Sequence, residues 1–366
     1  MAGARPGQWQ AWGMRRLVCA LGAAVGIVVA GAAGPAGAAP GDDGFTIEDE
    51  RITESSGLAA SRAHPGVYWT HNDSDDGPYV YAVDGRTGRT VATVTLTGVT
   101  PRDVEAVSVG PDGSVYVGDI GDNFGGRWPE VWIYRFAEPE RLTDRAVEVT
   151  RHTVRYADGP RDAESLAVHP VTGRVYIVSK DKEDGGLYAG PEELSASAAN
   201  TFTRVADVGL WATDAAFSPD GTRLAVRGYF GGVMYAWEDG GPREAGRLTV
   251  PVQRQGESVT FAPDGRTLLY GTEGERGAVQ PMRLDGEQLP ENARDEREQP
   301  DRTGNGNETG NGSENGDGSA ADGGPSAADG EGDAGEQGSG TRLALVLAAG
   351  AALFLALRRA ARRRRG

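Results

Sequence analysis

The chain has 366 residues, with 37 Lys and Arg against 53 Asp and Glu, a formal charge of −16. Ten of the bases lie in two ends that hold no acid, so residues 40–340 carry 27 bases and all 53 acids, a balance of −26. A surface that acidic excludes the basic stripes by which proteins hold nucleic acid. The single cysteine, Cys19, excludes a disulfide scaffold and a cysteine-based zinc site.

Residues 1–39 read as a secretory signal peptide. Arg15 and Arg16 precede the apolar run 17–33, and Ala36-Gly37-Ala38 fits the small-residue cleavage pattern. Cys19 falls in the part removed, so the exported chain is expected to hold no cysteine.

Residues 40–285 hold a repeated phrase: an acidic residue, a short apolar strand, a Pro-x-Gly or similar turn, and a second apolar strand. Copies open at Asp103-Val-Glu105, Asp162-Ala-Glu164, Asp214 and Glu257, with turns at Pro111, Pro170, Pro219 and Pro263; a looser first copy opens at Glu54. Those prolines are 59, 49 and 44 residues apart, a spacing that belongs to propeller blades of four strands. Proline presets the first turn dihedral and Asp-Gly supplies the positive φ. The Val, Tyr, Ile, Leu and Phe runs beside the turns suit sheets buried on both faces.

Third strands are predicted at 79–83, 131–136, 186–189, 233–237 and 278–284. Fourth strands are predicted at 90–96, 147–156, 202–208 and 244–250. The fifth copy lacks one, and 45–52 could close the ring from the N-terminal side and so remove an open edge. The fold class is therefore an all-β propeller of five blades, or six if 45–52 belongs elsewhere or the 59-residue interval hides a further element.

Residues 286–340 are rich in Gly, Asn, Asp, Glu and Ser and nearly free of large apolar side chains. Such a stretch cannot bury enough surface to offset chain entropy, and it reads as a disordered acidic tether. Residues 341–361 read as a transmembrane helix. The uncharged run 343–357 rises only about 22 Å, but Ala360 and Ala361 extend it and Arg358 and Arg359 can snorkel. The arginines of 362–366 belong on the cytoplasmic side. The expected protein is a monomeric, single-pass cell-membrane protein with its propeller outside.

Ala216-Phe217-Ser218-Pro219-Asp220-Gly221-Thr222-Arg223-Leu224-Ala225 resembles the repeat of TolB-type, WD-like propellers, a resemblance that implies fold only. The acid-rich strand openings also resemble those of phytase-like and esterase-like secreted propellers, and that likeness implies a calcium-dependent hydrolase.

In a propeller the residues that open the innermost strands sit at one mouth of the central channel. Here these are Glu54, Asp103, Glu105, Asp162, Glu164, Asp214 and Glu257. Crowded carboxylates repel unless a cation joins them, and hard oxygen donors suit Ca²⁺. Glu105, Glu164 and Glu257 are the candidate ligands. Three uses stay open: ties to backbone N–H groups or to Arg102 and Arg161, a metal site, and acid–base catalysis. Loops after the second strands add His71, Asp119, Lys180 and Glu273. Asp73-x-Asp75 opens like an EF-hand loop, but the glycine and the closing glutamate are missing.

The sequence has no G-x-S-x-G elbow, H-E-x-x-H or phosphate loop. The function expected is a binding module for an envelope protein, peptide or glycan. The alternative is a calcium-dependent hydrolase of phosphoesters or esters.

Overall fold

A computed structural model describes residues 44–73 and 76–298. The expected signal peptide, the expected linker beyond 298, the expected membrane segment and the arginine tail lie outside the described residues. Among the described residues no helix is long and apolar enough to cross a membrane.

The chain is almost entirely β. A short strand, β1 (Phe45–Thr46), leads in. It is followed by β2 (Ser55–Ala60), β3 (Val67–Asn72), β4 (Tyr79–Asp84) and β5 (Thr90–Thr97). The next group is β6 (Val104–Val109), β7 (Ser114–Asp119), β8 (Val131–Ala137), β9 (Arg145–Glu148) and β10 (Thr150–Tyr156). Then come β11 (Ala163–Val168), β12 (Val175–Ser179), β13 (Gly186–Ala189) and β14 (Asn200–Asp207). They are followed by β15 (Ala212–Phe217), β16 (Arg223–Gly228), β17 (Gly231–Glu238) and β18 (Gly241–Leu248). Last are β19 (Gly256–Phe261), β20 (Thr267–Thr272) and β21 (Ala278–Arg283), a 3-10 turn at Gly286–Gln288, and α1 (Glu291–Glu298).

The strands form four sheets: β2-β3-β4-β5-β9, β6-β7-β8-β10-β14-β13-β12-β11, β15-β16-β17-β18, and β19-β20-β21-β1. The first strand of each repeat packs on the first strand of the next: β2 on β6, β6 on β11, β11 on β15, β15 on β19, and β19 back on β2. Five apolar layers fill the spaces between neighbouring repeats. The layer closing the circle joins Ile47, Leu58, Tyr68 and Tyr81 to Leu269 and Val279. A closed circle of sheets with inner strands in mutual contact is consistent with a β-propeller. Each fully buried Leu, Ile or Val in these layers contributes on the order of 1.5–3 kcal/mol.

The Pro-Asp-Gly turns adopt the backbone their sequence demands, with Gly221 at φ 78° and Gly265 at φ 64°. The strand expected over 147–156 breaks at Val149. β9 leaves to pair in parallel with β5, while β10 pairs with β8 and, again in parallel, with β14. Pairing from 45–52 is limited to Phe45 and Thr46 on β21, extended by the Ile47 N–H to the Gly277 carbonyl at 2.9 Å.

Ordered chain also runs past 285. Leu289 and Ala293 are buried in the layer beside β18 and β20. The first turn of α1 donates from Glu291 N to Thr222 Oγ1 (3.0 Å) and from Asn292 N to Asp220 Oδ2 (3.2 Å). A segment whose average composition reads as disordered is docked locally by two apolar side chains and two capped N–H groups.

Candidate cation site at the ring mouth

Every inner hairpin carries a β-bulge one or two residues from the start of its first strand. The residues passed over are Ser56 with Gly57, Glu105, Glu164, Thr213, and Glu257 with Ser258. A bulge frees a residue from the ladder and re-aims its side chain. Repeated around the ring, it gathers three glutamates, two serines, one threonine and a glycine at the same end of the inner strands.

The three glutamates meet different neighbours. Glu105 groups with Asp103, just before β6, and with Asp73 from the loop after β3. One carboxylate oxygen from each lies within 4.8 Å of the others, and all three residues are buried. Burial pushes the Glu105 carboxyl well above the ordinary carboxylate range, and the charges of Asp73 and Asp103 push it further; Lys180 acts the other way. The backbone closes over this corner. A Cβ on Gly121 would fall 2.7 Å from Asp103 Oδ2 and 2.8 Å from Glu105 Cγ, so only glycine fits there.

Glu164 is ion-paired to Lys180, and both side chains are buried. Glu257 is also raised, first by burial; Lys180, Arg227, the Tyr229 hydroxyl and Gln255 lower it in part. Lys180 is thus one ammonium among three bulge glutamates. Its Nζ lies 5.5 Å from the Tyr229 ring and 5.8 Å from the Trp211 ring. The Tyr229 hydroxyl is raised by burial and then by Glu257, Glu273 and Glu105, so it remains protonated as a donor. Glu273 accepts hydrogen bonds from Ser56 Oγ (3.0 Å) and from Gln255.

Other residues that the sequence places at the mouth do different work. Asp214 stands one residue beyond its bulge and ties three inner strands together. It accepts from the N–H groups of Ala215 and Val259, each at 2.8 Å, and from that of Leu58. The acid of that repeat stands one position beyond the place of Glu105, Glu164 and Glu257 in theirs, because the bulge residue there is Thr213. Asp119 turns back to the chain entering β6, accepting from Arg102 N, from Asp103 N (2.8 Å) and from Tyr134 Oη (2.7 Å). Asp162 accepts from Asp122 N at 2.8 Å and so holds the loop after β7. Glu54 contributes backbone: its N–H meets Asn72 Oδ1 at 2.9 Å and its carbonyl accepts from Asp73 N at 2.9 Å. His71 is fully buried against Gly57, with Nδ1 2.9 Å from the Asn72 carbonyl; burial holds it below its ordinary pKa and thus neutral.

Of the expected metal ligands Glu105, Glu164 and Glu257, only Glu105 belongs to the close carboxylate group; lysine and tyrosine engage the other two. Asp73 occupies the loop position that Gly121, Lys180 and Glu273 take in other repeats, each donating its N–H to the chain entering the first strand, so the backbone repeats there while the residue type does not. The other end of the inner strands is chemically plain. It holds a cavity of about 330 Å³ walled by groups such as Leu58, Val107, Val168, Phe217 and Phe261.

No protein-family description matches the chain, and no curated protein matches it. Solved structures with some likeness include a mitotic checkpoint complex, at 15% identity and a TM-score of 0.35 over 63% of this chain; the chain spans 61% of that one. A second is the PQQ-bound aldose sugar dehydrogenase of Streptomyces coelicolor, at 14% identity and a TM-score of 0.37, covering 66% of this chain and 99% of that one. A third is a gluconolactonase of Xanthomonas campestris, at 14% identity and a TM-score of 0.38, covering 68% and 99%. Likenesses this distant assign no activity to the chain.

Proposed function

We propose that the protein is a cell-surface propeller that binds Ca²⁺ at Asp73, Asp103 and Glu105 and presents the ion to an oxygen-rich ligand of the envelope. In this reading the four sheets are five blades. The eight-stranded sheet is two blades joined through β10 and β14, and β1 is the outer strand of the last. In the same reading residues 1–39 serve export and the C-terminal apolar segment serves as an anchor, with the acidic linker between anchor and ring.

The observation that carries the proposal is the buried three-carboxylate group. Three like charges within 4.8 Å, taken out of water, repel strongly. A hard divalent cation removes that cost and is suited to all-oxygen donors. Lys180 supplies only one positive charge, and Glu164 holds it.

Calorimetric titration of the full chain with CaCl₂ tests this reading. One site per chain and a rise in melting temperature are expected; the absence of both would end it. A hydrolytic reading draws on the Glu257, Tyr229 and Lys180 cluster next to the carboxylates, where a raised carboxyl and an ammonium stand close enough to exchange protons with a bound ester. Turnover of p-nitrophenyl phosphate or acetate that depends on Ca²⁺ and is lost in Glu257→Gln would favour it over plain binding.

A further inference from the structure

Away from the mouth, the connection from β5 to β6 and the strands β8 and β10 enclose a groove of about 540 Å³. It is lined by Gly98, Val99, Thr100, Trp132, Tyr134 and Arg151. Arg151, Trp132 and Tyr134 are the charged and aromatic members of that lining, and further arginine–aromatic pairs stack outward from Trp132. The Arg102 guanidinium lies 4.0 Å from the Trp128 ring and 3.6 Å from the Trp132 ring, and Arg151 lies 5.3 Å from Trp132. Arg127 lies 5.3 Å from the exposed Phe124, which meets Trp128 edge-on at 6.2 Å.

Among the described residues none of these three guanidiniums meets a carboxylate within ion-pair distance, whereas Arg51, Arg135, Arg155, Arg161, Arg204, Arg243 and Arg276 each do. Arg102 spends one N–H on the Glu130 carbonyl (2.9 Å), and its Nε has no partner. Stacking on rings leaves the guanidinium edges, where the N–H donors lie, directed away from the ring faces. Residues 40–285 hold 24 bases and 39 acids, a balance of −15, and on that background the exposed Arg151 is a guanidinium with a donor fork open to a ligand.

We infer that this groove binds a carboxylate-bearing sugar, a uronate residue of an acidic polysaccharide. Guanidinium forks match a planar carboxylate by two parallel N–H···O bonds. The Trp132 indole in the groove's lining offers apolar area for the C–H face of a pyranose. The groove has the volume of small-ligand sites. The acidic domain around it repels a dense polyanion such as nucleic acid, but admits a chain carrying one charge per ring. The site is independent of the mouth and needs no metal.

The test is calorimetric titration of the full chain with trigalacturonate in EDTA, beside neutral galactotriose and glucose 6-phosphate. Trigalacturonate is expected to bind at least tenfold more tightly than either, and the affinity is expected to fall as salt is raised. Arg151→Ala, at an exposed position, is expected to weaken binding at least tenfold with an unchanged melting temperature. Arg86→Ala, on an exposed turn, is expected to leave binding intact. Absence of trigalacturonate binding, equal binding of galactotriose, tighter binding of glucose 6-phosphate, or an unaffected Arg151→Ala protein would each overturn the inference.

Discussion

Arg227 has no accessible surface, yet it carries a charge. Its Nη1 donates to the carbonyls of Ser258 (2.8 Å) and Gly271 (3.0 Å), and its Nη2 donates to Gln253 Oε1 (3.2 Å), so one side chain of β16 holds β19 and β20. Burial depresses its pKa below the ordinary guanidinium value. Arg227→Met removes the donor from two buried carbonyls. We expect a loss of about 3 kcal/mol, seen as a melting temperature lower by about 10 °C; a change within 2 °C by this measure would show that the guanidinium is not the tie.

Glu105 makes the opposite case. Glu105→Gln deletes one of three repelling charges, so without calcium the variant is expected to melt at or above the parent's temperature. Calcium should then no longer raise it, and differential scanning calorimetry with and without the ion separates the two effects. The glutamates of this site were legible from their repeated phrase. Asp73 was not, because its counterparts in the loops after the other second strands are Gly121, Lys180 and Glu273, so no residue type repeats there, and neither was the one-residue offset of Asp214. A bulge changes register without leaving a mark in composition.

At the level of strands, hairpins were legible because Pro-Asp-Gly turns and Val-rich flanks are local signals. The partner switch between β9 and β10 was hidden, since alternation of side chains says which face is buried and nothing about which neighbour pairs. The ring closure is a small element with a large role. Phe45 stacks on Tyr68 at 5.3 Å between centroids, and Ile47 is 1% exposed between the first and last repeats. Ile47→Ala is expected to cost about 2–4 kcal/mol. Truncation through residue 47 is expected to expose the β21 edge and promote association. Urea denaturation checks the first and light scattering the second; unaltered denaturation midpoints would mean that the closure does not depend on this side chain.

For the whole molecule the buried acids set the pH dependence. Glu105, Asp214 and Glu257 are all held above their ordinary values of 4.5, 3.8 and 4.5. The folded state therefore keeps protons that the unfolded chain has released, and the stability from these groups falls as pH rises from about 4 through their folded values. Asp49, lowered to about 2 chiefly by its hydrogen bonds with Arg51, works the other way, favouring the fold above pH 3.8 and losing that effect as pH falls toward 2. In EDTA the melting temperature is expected to decline between pH 5 and pH 8. Calcium should restore more of it at pH 8, where protons compete less for the carboxylates. A flat profile in EDTA would mean that these groups are neutralised by other means.

The parallel pairings of β5 with β9 and of β10 with β14 stitch three consecutive repeats together at the perimeter, whereas β18 keeps one neighbour in its sheet. Deuterium uptake should therefore be uneven around the circle. The amides of β18 should exchange through local opening, while those of β5, β10 and β14 should wait for events that loosen several repeats at once. The perimeter would then divide into a slow arc and a fast one, with the first breach beside the C-terminal helix.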